Sequence, residues 1–420
     1  MSFLLNVLVL LTIVSCKEKV IIKKEEFSKS HKNQNVQKKK THLSLLTYNL
    51  ALAKGYVPYV DERFQKIVKE LRKSDADIVC LQEVWKRSHK AFLAKEIKHK
   101  FPYSLSARKK QHARKEGWFS GAACGVGDLL GKNKFISCIL ERCSEKSGKD
   151  KNQCIKVVCR PVLDQLAKNN RVCAESLIAS IGQNKLLSFF KLLNPLKMAN
   201  RFLYQGAVGT MILSKLPLKK TGHINLAEKS TLANRGALYA SVEINGKENY
   251  IGCTHLPSNS STSIPYVGVA PYKKGDINFK TDWANENYYH MNAILDEFKT
   301  LAGSKPQVLM GDFNCSLKNT KYGIYPDFEK SCKMILDRGY RDPFAEKEPK
   351  CTFCHNNTLL KHTRENEMLV DHIYMKNVKN ISSSISTIKF KDTYSIFFKE
   401  EIIKTHLSDH YGLQIKIPLN

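Results

Sequence analysis

The 420-residue chain has no internal apolar run approaching the roughly 20 residues that a membrane-spanning helix needs, which excludes a polytopic membrane protein. Acidic residues are scarce: 39 Asp and Glu face 68 Lys and Arg, a formal charge of +29. Arginine is scarce as well, at 13 against 55 lysines. Specific phosphate recognition favours the bidentate arginine fork. The excess therefore reads either as a surface for nucleic acid or anionic lipid headgroups, or as a lysine-rich composition without a partner. Hydrophobic residues are not lacking; at 42% they exclude a disordered chain and suffice for a large core. The length suggests two or three domains, or one large α/β domain. Cysteine is plentiful and odd in number, at 13, in a chain far too long for a small disulfide toxin.

The first fifteen residues, MSFLLNVLVLLTIVS, form an apolar run of export-signal length, too short to cross a bilayer. No Lys or Arg precedes that run. Its end, Ile13-Val14-Ser15-Cys16, resembles the lipobox of bacterial lipoproteins, which implies lipidation of Cys16 at the mature N-terminus. An ordinary secretory signal with a coincidental cysteine is the alternative, and both readings export the chain. Removing Cys16 from the count leaves an even number of cysteines for an oxidising compartment. Residues 17–41 carry nine Lys against three Glu without periodicity, and read as a basic, disordered tether suited to anionic headgroups.

Folded structure is expected from residue 42 to 420. Apolar runs predict strands at Leu43–Tyr48, Ile78–Leu81, Thr210–Leu213, Leu238–Ile244, Tyr250–Thr254, Val308–Met310, His372–Met375 and Tyr411–Ile417. Phe64, Ile67, Val68 and Leu71 recur at helical spacing behind Asp61, a plausible cap, and helical pattern returns at about 285–301. Interleaved strands and helices point to α/β or α+β layers. Between residues 121 and 200 the texture becomes helical and holds six cysteines without zinc-type spacing. This segment reads as an insertion stapled by up to three disulfides of unassignable connectivity. Cys351 and Cys354 lie in a loop and are expected to form disulfides with Cys315 or Cys332.

Several predicted strands end in polar groups: Asn49, Glu83, His255, Asp312 with Asn314, and Asp371, with Asp409-His410 near the C-terminus. A rigid sheet fixes such residues where sheet-based sites open. Hard oxygen donors suit Mg²⁺, and a His beside a carboxylate can take a proton from water. Singly, each of these residues is ordinary; an Asp after a strand more often shapes a turn.

Their order is distinctive. Tyr48-Asn49, Leu81-Gln82-Glu83, Thr254-His255-Leu256, Gly311-Asp312-Phe313-Asn314, Asp371-His372-Ile373-Tyr374 and Ser408-Asp409-His410 together resemble the endonuclease/exonuclease/phosphatase superfamily. The stretch Gly206–Pro217 fits the same pattern. The resemblance implies a four-layered α/β sandwich of two facing mixed sheets flanked by helices, interrupted here by the cysteine-rich helical insertion. It implies Glu83 as principal ligand of Mg²⁺ (with Mn²⁺ or Ca²⁺ as substitutes), Asn49 and Asp409 assisting at the metal, and Asn314 with Asp312 orienting phosphate and nucleophile. His255 would stabilise phosphate or protonate the leaving group, and His410 would be the general base, a role interchangeable with Asp312. Asp371 matches the family's strand Asp, although His372 stands where a Tyr is usual.

Within that superfamily the chain is similar to the neutral sphingomyelinase branch, through the Thr47-Tyr48-Asn49 turn, Asn234–Leu238 with Arg235 as a substrate-binding candidate, and Thr254-His255-Leu256. That resemblance implies cleavage of sphingomyelin to ceramide and phosphocholine at a phospholipid membrane surface by a monomer. An exported nuclease is the second reading, favoured by eleven Lys and Arg against two Glu in Lys86–Glu116, with Trp118 and Phe119 following. A third is a surface adhesion protein in which the insertion makes the contacts and the catalytic domain is vestigial.

Overall fold

The computed structural model describes residues 40–107, 122–131, 134–146, 154–155, 157–181, 185–194, 202–268, 279–360 and 366–419. Cys16, nearly all of the tether, Trp118 and Phe119 lie outside the described residues.

Strands β1 (His42–Asn49) and β2 (Ile78–Gln82) run parallel, and β3 (Tyr103–Ser106) and β4 (Met211–Ser214) follow them in the same sheet. The second sheet is built from β5 (Lys219–Asn225), β6 (Gly236–Ile244), β7 (Lys247–His255), β8 (Gln307–Asp312) and β9 (Asp371–Lys376), in that order. β10 (Ile385–Lys389) returns to the first sheet, and β11 (Thr393–Phe398) and β12 (Glu401–His406) form a separate hairpin. β13 (Gly412–Pro418) completes the first sheet, whose order is β10-β13-β1-β2-β4-β3. β7 and β8 are parallel, like β1 and β2, so both sheets are mixed.

The strand sequences explain the layering. Leu43 and Leu45 face the second sheet and pack with Ile251, Val308, Met310 and Ile373 in the central core. Their neighbours in sequence, Leu46 and Tyr48, turn outward onto Phe64, Ile67, Val68 and Leu71 of helix α1 (Val60–Lys73). On the other flank, Leu309 packs with Ile294, Leu295 and Phe298 of the long helix Phe279–Ala302. Strands buried on both faces need near-continuous apolar runs, which is what these segments supply. The result is the four-layered sandwich, helix–sheet–sheet–helix.

The described residues form six disulfides: Cys80–Cys253, Cys124–Cys173, Cys138–Cys159, Cys143–Cys154, Cys315–Cys332 and Cys351–Cys354. Two expectations are corrected. Cys351 and Cys354 pair with each other, because Cys315 is held against Cys332 on the helix Glu329–Asp337. Asp61 does not cap α1: the cap position is Tyr59, and Asp61 lies inside the first turn, within 3.7 Å of Lys54 and 3.5 Å of Lys86. Between residues 122 and 194 the chain forms short helices, among them Phe135–Arg142, Arg160–Asn169, Arg171–Ala179 and Lys185–Leu193. Their core packs on Leu203, Leu232, Val267 and Trp283. Among the described residues no helix is long and apolar enough to cross a membrane.

Candidate active site

Register brings the polar strand ends to one rim. β1 and β2 are parallel and end together, with Asn49 opposite Gln82, so Glu83 follows at the same edge. β7 and β8 end together too, with His255 opposite Asp312. β9 runs the other way, so its first residue, Asp371, is the one opposite Asp312. β13 is antiparallel to β1, which places Ser408, Asp409 and His410, just before it, at that rim.

Asp312 is the hub. Its Oδ2 accepts a hydrogen bond from Asn49 Nδ2 at 2.9 Å, across the two sheets. The same oxygen lies 3.5 Å from His255 Nε2 and 3.7 Å from His410 Nε2. Its Oδ1 accepts from the Asn314 backbone N–H at 3.0 Å, and Asn314 Nδ2 donates to the Leu256 carbonyl at 2.9 Å. His410 Nδ1 meets Asp371 Oδ2 at 2.8 Å, which directs Nε2 toward Asp312. Asp312, Asp371 and His410 offer donor atoms within 4.8 Å of one another. The Asn49 amide gives its NH₂ to Asp312 while its oxygen accepts from the Ala51 N–H at 3.0 Å. In this arrangement Asn49 orients Asp312.

Two neighbouring clefts of about 190 and 180 Å³ open here, and Glu83, Arg235, Ser258 and Asp409 line both. Burial, reinforced by the Asp409 charge, raises the proton affinity of Glu83. Burial also raises that of Asp312, with Asp371 adding to it against the opposing pull of His410. Burial disfavours charge on His410, yet Asp371, Asp312 and Asp409 outweigh it and hold the imidazole well above its ordinary range. His255 goes the other way, pushed far down by burial and by the nearby Arg235 and His410. Hence one imidazole is held charged and its neighbour neutral, the split that acid–base sites exploit.

All the predicted rim residues are thus brought together, and Arg235 joins them, its Nη1 3.4 Å from the His255 carbonyl. Supporting residues escaped the sequence reading. Arg63, fully buried, donates to the carbonyls of Pro58, Leu50, Ala51 and Leu407, clamping the Asn49 turn to the segment before Ser408. Thr352 Oγ1 receives the N–H groups of Val370 and Asp371 at 3.2 and 3.1 Å. Asn287 Nδ2 donates to the Pro257 and Phe313 carbonyls at 2.8 and 2.9 Å, tying the turn after His255 to the one after Asp312. Arg63 did leave a signal: it precedes Ile67 by four residues and so falls on the apolar stripe of α1. Glu83 itself adopts a left-handed backbone, φ 59°, a strained conformation of the kind found at functional sites.

A family model described as the Endonuclease/Exonuclease/phosphatase family matches residues 46–410. The chain belongs to this family. No curated protein matches the sequence. Among solved structures, SmcL is similar at 13% identity and a TM-score of 0.50, covering 90% of this chain and 99% of its own. Sphingomyelinase C from Streptomyces griseocarneus is similar at 15% identity and a TM-score of 0.49, covering 90% and 100%. A mutant form of beta toxin from Staphylococcus aureus with bound magnesium ions is similar at 14% identity and a TM-score of 0.48, covering 89% and 99%. Members of the family are hydrolases.

Proposed function

We propose that the chain is an exported, Mg²⁺-dependent phosphodiesterase that hydrolyses sphingomyelin or a related phospholipid to phosphocholine and ceramide. The observation that carries the chemistry is the placement of Asp312 between two imidazoles, facing a cleft lined by Glu83 and Asp409. Two carboxylates around one polar cleft, each crowding the other, form the donor set of a hard divalent cation such as Mg²⁺, with Mn²⁺ or Ca²⁺ as substitutes. Glu83 would be its principal holder, with Asp409 beside it and Asn49 close by. When bound, the ion supplies positive charge against the phosphate oxygens and the departing alkoxide.

The protein's own residues handle the proton. His410 Nε2 and Asp312 Oδ2 face one point from two sides, and with the His410 imidazole held charged it is Asp312 that receives the proton of a single attacking water. Asp371 keeps the His410 ring oriented throughout. Neutral His255 and the Asn314 amide stand at the same cleft, where His255 donates a hydrogen bond to a phosphate oxygen and Asn314 orients the group. Arg235, half-buried beside Glu83, contributes fixed positive charge for the substrate phosphate. Water then bonds to phosphorus as its proton passes to Asp312, the bond from phosphorus to the ceramide oxygen breaks, and that oxygen takes up a proton from solvent.

The membrane reading has its own support. In the β11–β12 hairpin, Phe397 stands opposite Ile402, and these two side chains are 67% and 76% exposed. Lys399 and Glu400 make the two-residue turn, both with positive φ, 48° and 67°. β12 ends two residues before Ser408, so an apolar hairpin adjoins the catalytic segment. Exposed apolar pairs of this kind suit a bilayer surface. Export and a lipidated Cys16 are part of the same proposal, and six disulfides suit an oxidising compartment.

A nuclease reading draws on helix α2 (Arg87–Glu96) and the residues after it, where Arg87, Lys90, Lys95, Lys98 and Lys100 cluster in sequence. One assay separates the two. Purified protein with Mg²⁺ is offered sphingomyelin vesicles and supercoiled DNA, with a chelator control and the Glu83→Ala variant alongside. Phosphocholine release that vanishes with chelator or with Glu83→Ala is expected; cleavage of DNA alone would overturn the lipid reading. Persistence of every biological effect in Glu83→Ala would favour the adhesion reading.

A further inference from the structure

We propose that Cys351–Cys354 is a thiol-responsive bond that sets the rate of hydrolysis. Closed, it holds the Asp371–His410 pair in place beside Asp312; opened by a thiol reductant, it lets that pair loosen. The proposal rests on the reading of Asp312, Asp371 and His410 as the acid–base group of a phosphodiesterase, and not on lipid as the substrate.

The two residues enclosed by this bond both reach the pair. The Thr352 hydroxyl accepts the N–H groups of Val370 and Asp371 at 3.2 and 3.1 Å. The Thr352 carbonyl accepts the N–H of Tyr411, the residue after His410, at 2.7 Å. The Phe353 ring lies against the His410 imidazole with ring centroids 4.8 Å apart, and it lines the same cleft as Asp312 and Asn314. The backbone of the loop is anchored on Met368, whose carbonyl accepts the Thr352 and Phe353 N–H groups at 3.0 Å each. A loop of four residues therefore braces Asp371 from its backbone and His410 from its ring face and its neighbour. Thr352 and Phe353 are positioning residues in this scheme, acting through Asp371 and His410.

Exposure and spacing single this bond out. Eleven of the twelve disulfide cysteines are buried and Cys351 is half-buried, so a reagent in solvent meets Cys351–Cys354 before the other five bonds. Its cysteines are three residues apart, against 11 for the next shortest separation. Closing so short a loop restricts the unfolded chain least, and the fold accordingly survives its opening. The thiolate of a small thiol or dithiol attacks the Cys351 sulfur, since Cys354 is only 2% exposed. The S–S bond breaks, and Cys354 departs with the electron pair and takes up a proton. A second thiolate then attacks the reagent's sulfur in the mixed disulfide, Cys351 departs and is protonated, and the reagent leaves as its own disulfide. The protein has gained two electrons and two protons, and the reagent has lost them. The opened segment keeps only hydrogen bonds and the Phe353 contact to brace the pair, and a displacement of about 1 Å at a catalytic group costs up to roughly a hundredfold in rate.

The test uses the full chain with Mg²⁺ and a soluble phosphodiester, bis(p-nitrophenyl) phosphate, across graded ratios of reduced to oxidised dithiothreitol without denaturant. As the ratio rises, kcat should fall about tenfold with KM within a few-fold, and it should return on reoxidation. Iodoacetamide labelling along the same series, located by peptide mass, should appear at Cys351 and Cys354 in step with the fall, while the cysteines of the other five disulfides stay unlabelled. The Cys351→Ser/Cys354→Ser variant should show a kcat near that of the reduced parent and ignore dithiothreitol. Should that variant misfold, the parent still decides the matter, because it passes between both states in one sample. Labelling of both cysteines at unchanged kcat would overturn the proposal. So would a bond that stays closed until denaturant is added, or a fall in rate that tracks labelling of the other cysteines, the mark of general unfolding. A parent chain that hydrolyses no phosphodiester in its oxidised form would sink the reading of the site and this inference with it, whereas labelled thiols at an unchanged rate sink this inference alone.

Discussion

Cys80 and Cys253 are joined by a disulfide that crosses from one sheet to the other, three residues before Glu83 on β2 and two residues before His255 on β7. Both cysteines are fully buried in the central core. The bond fixes the separation of the two sheets just beneath the rim where their strand ends must cooperate. The Asn49–Asp312 hydrogen bond spans the same gap at the rim itself. The cleft is thus framed by one covalent and one polar link between layers that otherwise meet mainly through apolar packing.

Replacing both cysteines, Cys80→Ala/Cys253→Ala, should destabilise the fold. The cross-link closes a sequence separation of 173 residues, for which the chain-entropy model gives about 5 kcal/mol. Denaturant midpoints should fall accordingly, and kcat should drop on the order of ten- to a hundredfold as the rim loosens. With Cys351→Ser/Cys354→Ser in place, mild reductant should leave the enzyme's activity unchanged, because the bond is shielded, and abolish it once denaturant is added. Rapid loss of that activity in reductant alone would contradict the shielding.

Asp371 has one carboxylate oxygen on His410 Nδ1 at 2.8 Å, and its other oxygen has no hydrogen-bond partner among the described residues. Its work is to orient and charge-stabilise the imidazole, without touching substrate. Asp371→Asn should therefore lower kcat by about 10²- to 10⁴-fold, the scale of a removed acid–base partner, with KM within a few-fold of the parent. The Tm should change little, since Asn retains the shape and one acceptor. An equal rise in KM with kcat preserved would move Asp371 out of the proton-handling role.

Much of the layering was legible because these strands are buried on both faces and read as unbroken apolar runs; β1, β2 and β8 lie where Leu43–Tyr48, Ile78–Leu81 and Val308–Met310 placed them. β5 and β11 were not legible. β5 (KKTGHIN) has mostly exposed or half-buried residues, and its register shifts between Lys219 and Gly222. β11 and β12 pair only with each other, so no core periodicity is imposed on them. The site residues were visible through their order, each at a strand end. Arg63, Thr352 and Asn287 were not, because they act on backbone carbonyls and N–H groups whose positions exist only in the fold. The cysteine pairs were similarly opaque: Cys80 and Cys253 read as ordinary strand residues until the sheets were stacked.

His290, on the long helix, carries the last prediction, and it concerns stability. The ring is fully buried, its Nε2 lies 3.1 Å from the Lys229 carbonyl, and its Nδ1 has no hydrogen-bond partner among the described residues. Burial pushes its pKa down to about 3, against a backbone hydrogen bond to Lys229 that pulls it up, with Arg235 adding to the lowering. Above the unfolded value of about 6.5, neither the folded nor the unfolded chain protonates this ring, and it adds no pH dependence. Below about 6.5 the unfolded chain takes up a proton that the folded chain refuses, so stability falls as pH falls, by up to about 1.4 kcal/mol per pH unit. The loss continues until the folded ring protonates near 3. A His290→Gln variant, which keeps an N–H donor for Lys229 without a titrating group, should therefore be less stable than the parent at pH 7.5 through imperfect packing. It should lose less on acidification, so that the two denaturation midpoints converge between pH 6.5 and 4. Parallel curves across that range would show that His290 is charged in the fold or exposed to water.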